Sequence, residues 1–339
     1  MKKNIFTLLL LVLLAFPASI GHAATIVGFL VPASGLGDES FNDMTYTGLI
    51  EAKTRHNFRL IREQCTGGSD DDRRKALEQL FRRGADIIVV NGWQYRNLIK
   101  EYALRSPKRF YIINDFPVDG VPNVISSVFA QHEGAFLAGA LAGWMTQNDK
   151  IGFIGGMDMP VIRAFQSGFH QGALYANPKV RISDVFLASD QDAFAGFSSP
   201  SLGFSMANKL YDSDVDIIFG AAGLSNQGII QAARRRKLFA IGADADQDHM
   251  APGYVLTSVM KRLDTATSLI LDKLMRGEPI SGIQRFGLKE NGVALSYMTY
   301  TREVIPKEIQ QRLEQLREKI IAGEIPIADP LQESVEKGE

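Results

Sequence analysis

The chain alternates short apolar runs with longer amphipathic ones. The runs that predict strands are "TIVGFLVP", "FRLIREQC", "ADIIVVNG", "RFYIIND", "NVISSVF", "KIGFIGGM", "VDIIFGAAG", "LFAIGAD" and "VLTSVM". Several are apolar nearly throughout, as parallel strands buried on both faces are. Between them, "DRRKALEQLFRRG", "EGAFLAGALAGWM", "SNQGIIQAARRRK" and "DTATSLILDKLMRG" carry helical periodicity. The first of these begins at acids, which suit a helix N-terminus, and stops at Gly84. The second is rich in small residues, which allow close packing. Near the end, "IPKEIQQRLEQLREKIIAGEIPI" sets Ile309, Leu313, Leu316 and Ile320 on one helix face. Alternation of this kind predicts a doubly wound α/β fold.

Sheets of that class bind ligands in loops beyond the carboxyl ends of their strands. The residues there are Asp38, Ser40, Phe41 and Asn42 after the first strand, Asn91 and Gly92 after "ADIIVV", and Asp115 after "RFYIIN". Gly155 to Met159 follow "KIGFI", Gly220 to Gly223 follow "DIIF", and Asp244, Asp246 and Gln247 follow "LFAIG". Any one of these is ordinary loop or cap chemistry, and Asp38 is a cap candidate for the helix after it. Polar groups gathered at so many strand ends point to a shared ligand. Phe41 stands out as a large aromatic inside the polar loop "GLGDESFNDM".

Composition narrows the class. Lys2 and Lys3, the apolar run "IFTLLLLVLLAF", and "PASIGHA" with Gly21 and Ala23 before the cut make residues 1–23 a cleaved secretory signal. The apolar run falls short of the roughly 20 residues of a spanning helix. The single cysteine, Cys65, lies far from the cut and leaves no thiol there to carry a lipid. A soluble periplasmic protein is expected. Cys65 has no disulfide partner and ends an alternating run, where a half-buried strand position keeps a thiol inert. The remaining 316 or so residues of the 339 exceed one comfortable core, so two domains are expected.

The formal charge is −1, and −3 once Lys2 and Lys3 are removed, which argues against a nucleic-acid surface. The cluster "RRRK" at 234–237 reads as a solvated helix end. The five histidines are scattered, and no metal motif or cofactor is indicated. The chain has no G-x-G-x-x-G after the first strand, no phosphate-binding G-x-x-x-x-G-K-[ST] and no G-x-S-x-G. Asp70, Asp71 and Asp72 read as a solvated helix N-terminus rather than a catalytic acid pair.

Six segments occur in this order: "GLGDESFND", "HEGAFLAGALAG", "KIGFIGGMDMPVIRAFQSGFHQGA", "DVDIIFGAAG", "IGADADQ" and "VLTSVMKRLDTA". Together they resemble the basic membrane protein family, also called purine nucleoside receptor proteins. The resemblance runs from about residue 25 to about 328. It implies a type I periplasmic binding protein: two Rossmann-like lobes with parallel-sheet cores, joined by three hinge crossovers. The crossovers are expected after "NVISSVF", around "GYVLTS" and near "GEPISGIQ". On that reading 24–128 plus 257–283 form the N-terminal lobe, 129–256 plus 284–331 the C-terminal lobe, and 332–339 a tail.

The resemblance also implies function. The expectation is a monomeric substrate-binding protein, not an enzyme, that holds a nucleoside, purine by preference, in the inter-lobe cleft and delivers it to an ABC permease in the inner membrane. Phe41 matches the aromatic that stacks on the base, and Phe197 is the candidate for its other face. Asn42 and Asn91 are expected to bond base or sugar, with Ser40 beside them. Asp115 matches a binding aspartate, and Asp244 and Lys261 match the pair that grips the ribose, one expected from each lobe. Gly223 lets backbone approach the ligand. The chain also departs from the family pattern. Pro32 stands where an aspartate is usual, "ASDQDAFAGFSS" is longer, and Ser199 replaces an aspartate before Pro200. Base identity therefore stays open among purine nucleosides, a free base, a pyrimidine nucleoside and other heterocycles. Two other functions stay open, a ligand sensor for a membrane receptor or kinase and a nucleoside hydrolase.

Overall fold

A computed structural model describes residues 24–188 and 193–331. The leader at 1–23, the tail at 332–339 and residues 189–192 of the long "ASDQDAFAGFSS" segment lie outside the described residues.

The strands form two six-stranded sheets. The first holds β1 (Ile26–Val31), β2 (Arg59–Gln64), β3 (Ile87–Asn91), β4 (Phe110–Asn114) and β5 (Val124–Phe129), with a late strand, β11 (Gly282–Phe286). Its order is β11-β5-β4-β3-β1-β2, parallel throughout. The second holds β6 (Lys150–Met157), β7 (Arg181–Ala188), β8 (Ile217–Ala221), β9 (Phe239–Asp244), β10 (Val255–Lys261) and β12 (Val293–Leu295). Its order is β12-β10-β9-β8-β6-β7, with β12 antiparallel. Each apolar run predicted as a strand is one. The three strands the pattern misses, β7, β11 and β12, are all sheet edges. An edge strand is half solvated, so β11 leaves Ile283 46% exposed and carries no continuous apolar signal.

Helices cover both sheets. They are α1 (Phe41–Arg55), α2 (Asp70–Arg82), α3 (Arg96–Arg105), α4 (Gln131–Met145), α5 (Pro160–Ala176), α6 (Ala193–Ser198), α7 (Pro200–Tyr211), α8 (Asn226–Arg236), α9 (Leu263–Met275) and α10 (Lys307–Ile321). The small residues of α4 let it lie backbone to backbone on α5. A Cβ at Gly139 would overlap the Phe169 carbonyl, and one at Gly172 the Phe136 carbonyl. Leu313, Leu316 and Ile320 of α10 are buried against the core of the second sheet, as their spacing predicts. Among the described residues no helix is long and apolar enough to cross a membrane.

The chain passes between sheets three times: from β5 to α4, from β10 to α9, and from β11 to β12. The first passage lies between Phe129 and Gln131. The second lies after Lys261, not around 256, because β10 stays hydrogen-bonded to β9 through Met260, opposite Asp244. The third lies after Phe286, because β11 pairs with β5 along its whole length. The three passages are tied together as a hinge. Ala130 N donates to Phe286 O at 2.9 Å, Arg262 N to Gly292 O at 2.9 Å, and Leu288 N to the Glu133 carboxylate at 2.8 Å.

Candidate functional site

The carboxyl ends of both sheets face a cavity of about 450 Å³ between the lobes, a volume suited to a small molecule. Corresponding strands end alike. β4 lies between β3 and β5, and β9 between β8 and β10. β4 is followed by Asp115 and β9 ends in Asp244, with φ values of 66° and 67°. Aspartate tolerates the left-handed region better than most residues, and such backbone gathers at functional sites. Gly92 beyond β3 and Gly223 beyond β8 likewise have φ of 94° and 52°.

Asp115, Asp244 and Lys261 line this cavity together. Lys261, the last residue of β10, is 2% exposed, and its Nζ donates to Asp115 Oδ2 at 2.8 Å. The ammonium also lies 5.5, 5.7 and 5.2 Å from the ring centroids of Phe41, Phe129 and Phe165. A carboxylate and three ring faces stabilise a charge withdrawn from water. Burial pushes the Asp115 carboxyl above its ordinary range, Lys261 draws it back, and Asp244 adds a smaller upward push. Ser40 Oγ donates to Asp244 Oδ2 at 2.6 Å.

Both bonds join one lobe to the other, but not as the sequence suggests. Asp244 and Lys261 do not come from different lobes; they end neighbouring strands of the second sheet. The first sheet supplies their partners, Ser40 and Asp115. At the rim, Gln247 Nε2 donates to Glu39 O at 3.2 Å, and His249 Nε2 lies 2.7 Å from the Glu39 carboxylate. Asp115 Oδ1 and Asp244 Oδ1 have no hydrogen bond among the described residues.

The loop before α1 is held rigidly. Asp38 is the cap: its carboxylate accepts from the backbone N–H of Ser40, Asn42 and Asp43 at 3.1, 2.9 and 3.1 Å. Burial pushes this carboxyl up to about 6, against the three N–H groups that hold it down. Asp43 in turn accepts from Gly37 N and Glu39 N, both at 2.9 Å. This bracing fixes Phe41, which lines the cavity half-buried and packs against a hydrophobic cluster with members from both lobes. Phe197 on α6 lines the cavity too, with its ring where a side chain on Gly156 would otherwise lie.

Two expected ligand contacts are engaged within the protein. Asn42 Nδ2 donates to Ser34 Oγ and Gly35 O, and Asn42 Oδ1 accepts from Asn91 Nδ2 at 3.2 Å. Asn91 is fully buried, and its Oδ1 accepts from Thr45 and Asn114. These amides brace β1, β3 and β4 under the cavity, and Asn91 is not part of its wall. Ser40 is fully buried and committed to Asp244. The structure adds residues that sequence reasoning passed over: Arg73, Trp93, Gln94 and Phe165 line the cavity. Arg73 was hidden in the charge run "DDDRRK", and Phe165 in the ordinary apolar face of a helix.

The family model for PnrA-like substrate-binding proteins of ABC transporters matches residues 24–330. The chain belongs to the PnrA-like family. Among its relatives, this PnrA-like chain is 31% identical to Basic membrane protein A of Borreliella burgdorferi over 326 residues, 94% of this chain and 92% of that one. It is 28% identical to the CD4+ T-cell-stimulating antigen of Listeria monocytogenes, over 97% and 99% of the two chains. A solved ABC-transporter solute-binding protein of Aeropyrum pernix superposes with a TM-score of 0.80 at 25% identity, covering 91% and 94% of the chains. One from Conexibacter woesei, at TM-score 0.72 and 20% identity over 91% and 99%, shares the fold. The PnrA-like chain thus has the two-lobed architecture of periplasmic binding proteins, and a family role in binding a substrate for transport.

Proposed function

We propose that this PnrA-like protein binds a nucleoside between its lobes, a purine nucleoside foremost, and delivers it to the permease of an ABC transporter. One observation carries the reading: Asp115 and Asp244, each with one carboxylate oxygen free of hydrogen bonds among the described residues, line a largely apolar cavity together with the Lys261 ammonium. A ribose presents adjacent hydroxyls that donate to such oxygens and ether or hydroxyl oxygens that accept from an ammonium. Phe41 and Phe197 supply ring surface for a flat base, which is apolar on both faces. Gly223 keeps backbone close to the ligand. Asn91 and Ser40 act one layer back, and Asn42 lines the cavity while bonded to Asn91, so that the three hold Phe41 and Asp244 in place. Asp115 belongs to one sheet and Asp244 and Lys261 to the other, so a ligand that touches all three favours the closed lobes. The closed monomer is the form the permease meets, in the periplasm, after residues 1–23 direct export. The ligand leaves unchanged, without catalysis.

The test is mass spectrometry of what the native protein carries. Protein purified without added nucleoside and then denatured is expected to release a nucleoside. A released compound with neither a heterocycle nor a pentose would overturn the reading.

A further inference from the structure

Three consecutive residues of the first lobe, Glu39, Ser40 and Phe41, reach the second. The Ser40 hydroxyl donates to Asp244, and the Phe41 ring centroid lies 5.5 Å from the Lys261 ammonium. Glu39 is bonded twice. Its backbone O accepts from Gln247 Nε2 at 3.2 Å, and its carboxylate lies 2.7 Å from His249 Nε2. Gln247 and His249 follow β9, so all four partners belong to the second lobe.

Exposure sorts these contacts by depth. The Lys261 and Asp115 side chains are 2% and 10% exposed, whereas those of His249 and Glu39 are 58% and 47% exposed. The Glu39–His249 pair is thus the outer charged contact between the lobes. Neither residue is part of the cavity wall. Any effect of the pair on a ligand therefore passes through closure, not through contact.

Each lobe fixes its own half of the pair. Glu39 has φ of 46°, left-handed backbone that glutamate adopts at a cost. Asp43 Oδ2 holds that turn by accepting from Glu39 N at 2.9 Å, so the turn needs no partner from the second lobe. On the other side, the Asp248 carboxylate next to His249 accepts from Ser296 Oγ at 3.2 Å and from Thr299 N at 2.9 Å.

We propose that Glu39 and His249 form a latch on the closed lobes that slows the ligand's escape without touching it. Histidine ordinarily changes charge between pH 8 and pH 5. The imidazolium makes a charge-assisted bond to Glu39, and the neutral ring makes a weaker one. Release therefore slows as the pH falls. The other charged groups of the two facing segments are Asp38 and Asp43 on one side and Asp244, Asp246 and Asp248 on the other. Asp38 and Asp248, both raised to about 6 chiefly by burial, take up protons in the same window, so the histidine is read by difference between chains that keep them. A latch made only after closure changes release rather than capture. The inference rests on a small ligand held between the lobes, not on that ligand being a nucleoside.

The experiment is stopped-flow kinetics of the full, ligand-stripped chain with inosine at about pH 8 and about pH 5, the span over which histidine titrates. The unaltered protein is compared with Glu39→Gln, His249→Gln and the double variant. Exposed ion pairs change an equilibrium by about fivefold at most. From the higher pH to the lower, release from the unaltered chain is expected to slow by about two- to fivefold more than release from any variant, with association rates alike. The double variant should match the single ones, since each removes the same pair. Should Glu39→Gln misfold, Glu39→Gly removes the carboxylate and suits the left-handed φ. Equal pH responses in the unaltered chain and the variants would overturn the latch, as would a difference confined to association. Failure of inosine to bind counts against the nucleoside reading alone. The same comparison is then made on protein that keeps the compound it purifies with, its loss on dilution followed by mass spectrometry, and equal pH responses there would overturn the latch as well.

Discussion

Lys261 Nζ and Asp115 Oδ2 lie 2.8 Å apart and stand on different sheets. Opening about the three-stranded hinge separates them, so this bond belongs to the closed form. Lys261→Met leaves the buried Asp115 carboxylate without its cation, which costs about 3–5 kcal/mol where the partner stays buried. In the open form water reaches Asp115 and most of that cost disappears. The variant is therefore expected to lose at least about 100-fold in ligand affinity with a small change in ligand-free melting temperature. Small-angle scattering should find it open at ligand concentrations that close the unaltered protein.

Phe41 tests the aromatic platform. It is half-buried at the cavity wall, against a hydrophobic cluster with members from both lobes. Phe41→Ala is expected to weaken nucleoside binding by about 10- to 100-fold, the range for removing a base-stacking ring. The melting temperature of the ligand-free chain should scarcely move. A large drop would make Phe41 a core residue instead.

The amide network beneath the cavity makes the opposite prediction. Asn114 Nδ2 donates to Asn91 Oδ1 at 3.1 Å and Thr267 Oγ1 at 3.2 Å, and its Oδ1 accepts from Ser127 Oγ at 2.6 Å. Asn114→Leu leaves several buried polar groups unpaired and is expected to cost about 2–4 kcal/mol. The denaturant midpoint should fall accordingly, while the protein that remains folded keeps most of its affinity.

His132 sets an acid limit on stability. It lies at the start of α4, beside the hinge, with Nδ1 3.6 Å from Asp329 Oδ1 and without a hydrogen bond among the described residues. Burial draws it from 6.5 down to about 4, Asp329 pushes it back up, and Arg285 lowers it further. The folded chain thus keeps this imidazole neutral at pH values where the unfolded chain protonates it. Its contribution is fully present above 6.5 and is lost as the pH falls toward 4, reaching about 2 kcal/mol at pH 5. Asp38 and Asp248, both raised to about 6 chiefly by burial, act in the opposite sense, since the folded chain binds their protons more tightly. The variant comparison isolates the histidine: His132→Gln should lose less stability than the unaltered chain between pH 7 and pH 5 in denaturant titrations. Equal losses would contradict the assignment.

What the sequence made legible follows burial. Strands covered on both faces, such as β3 and β8, read directly from their apolar runs. The edges β7, β11 and β12 did not, because half their side chains meet water. Phe41 declared itself as an aromatic among polar residues, and Asp38 as a cap. The pairing of Asn42 with Asn91, 49 positions on, was hidden, since it depends on β1 lying beside β3. The origin of Asp244 and Lys261 in one sheet depends on the register of β9 against β10. Arg73 was hidden for a related reason. A charge in an acid-rich helix start looks solvated, yet the fold turns that start toward the cavity and leaves the side chain 15% exposed.

Calorimetric titration of ligand-stripped protein with ribonucleosides tests the central claim most directly. Inosine, guanosine, uridine and adenosine form the panel. One-site binding of at least one of them, lost or greatly weakened in Asp244→Ala, is the expected result. No heat with any of the four would contradict the account.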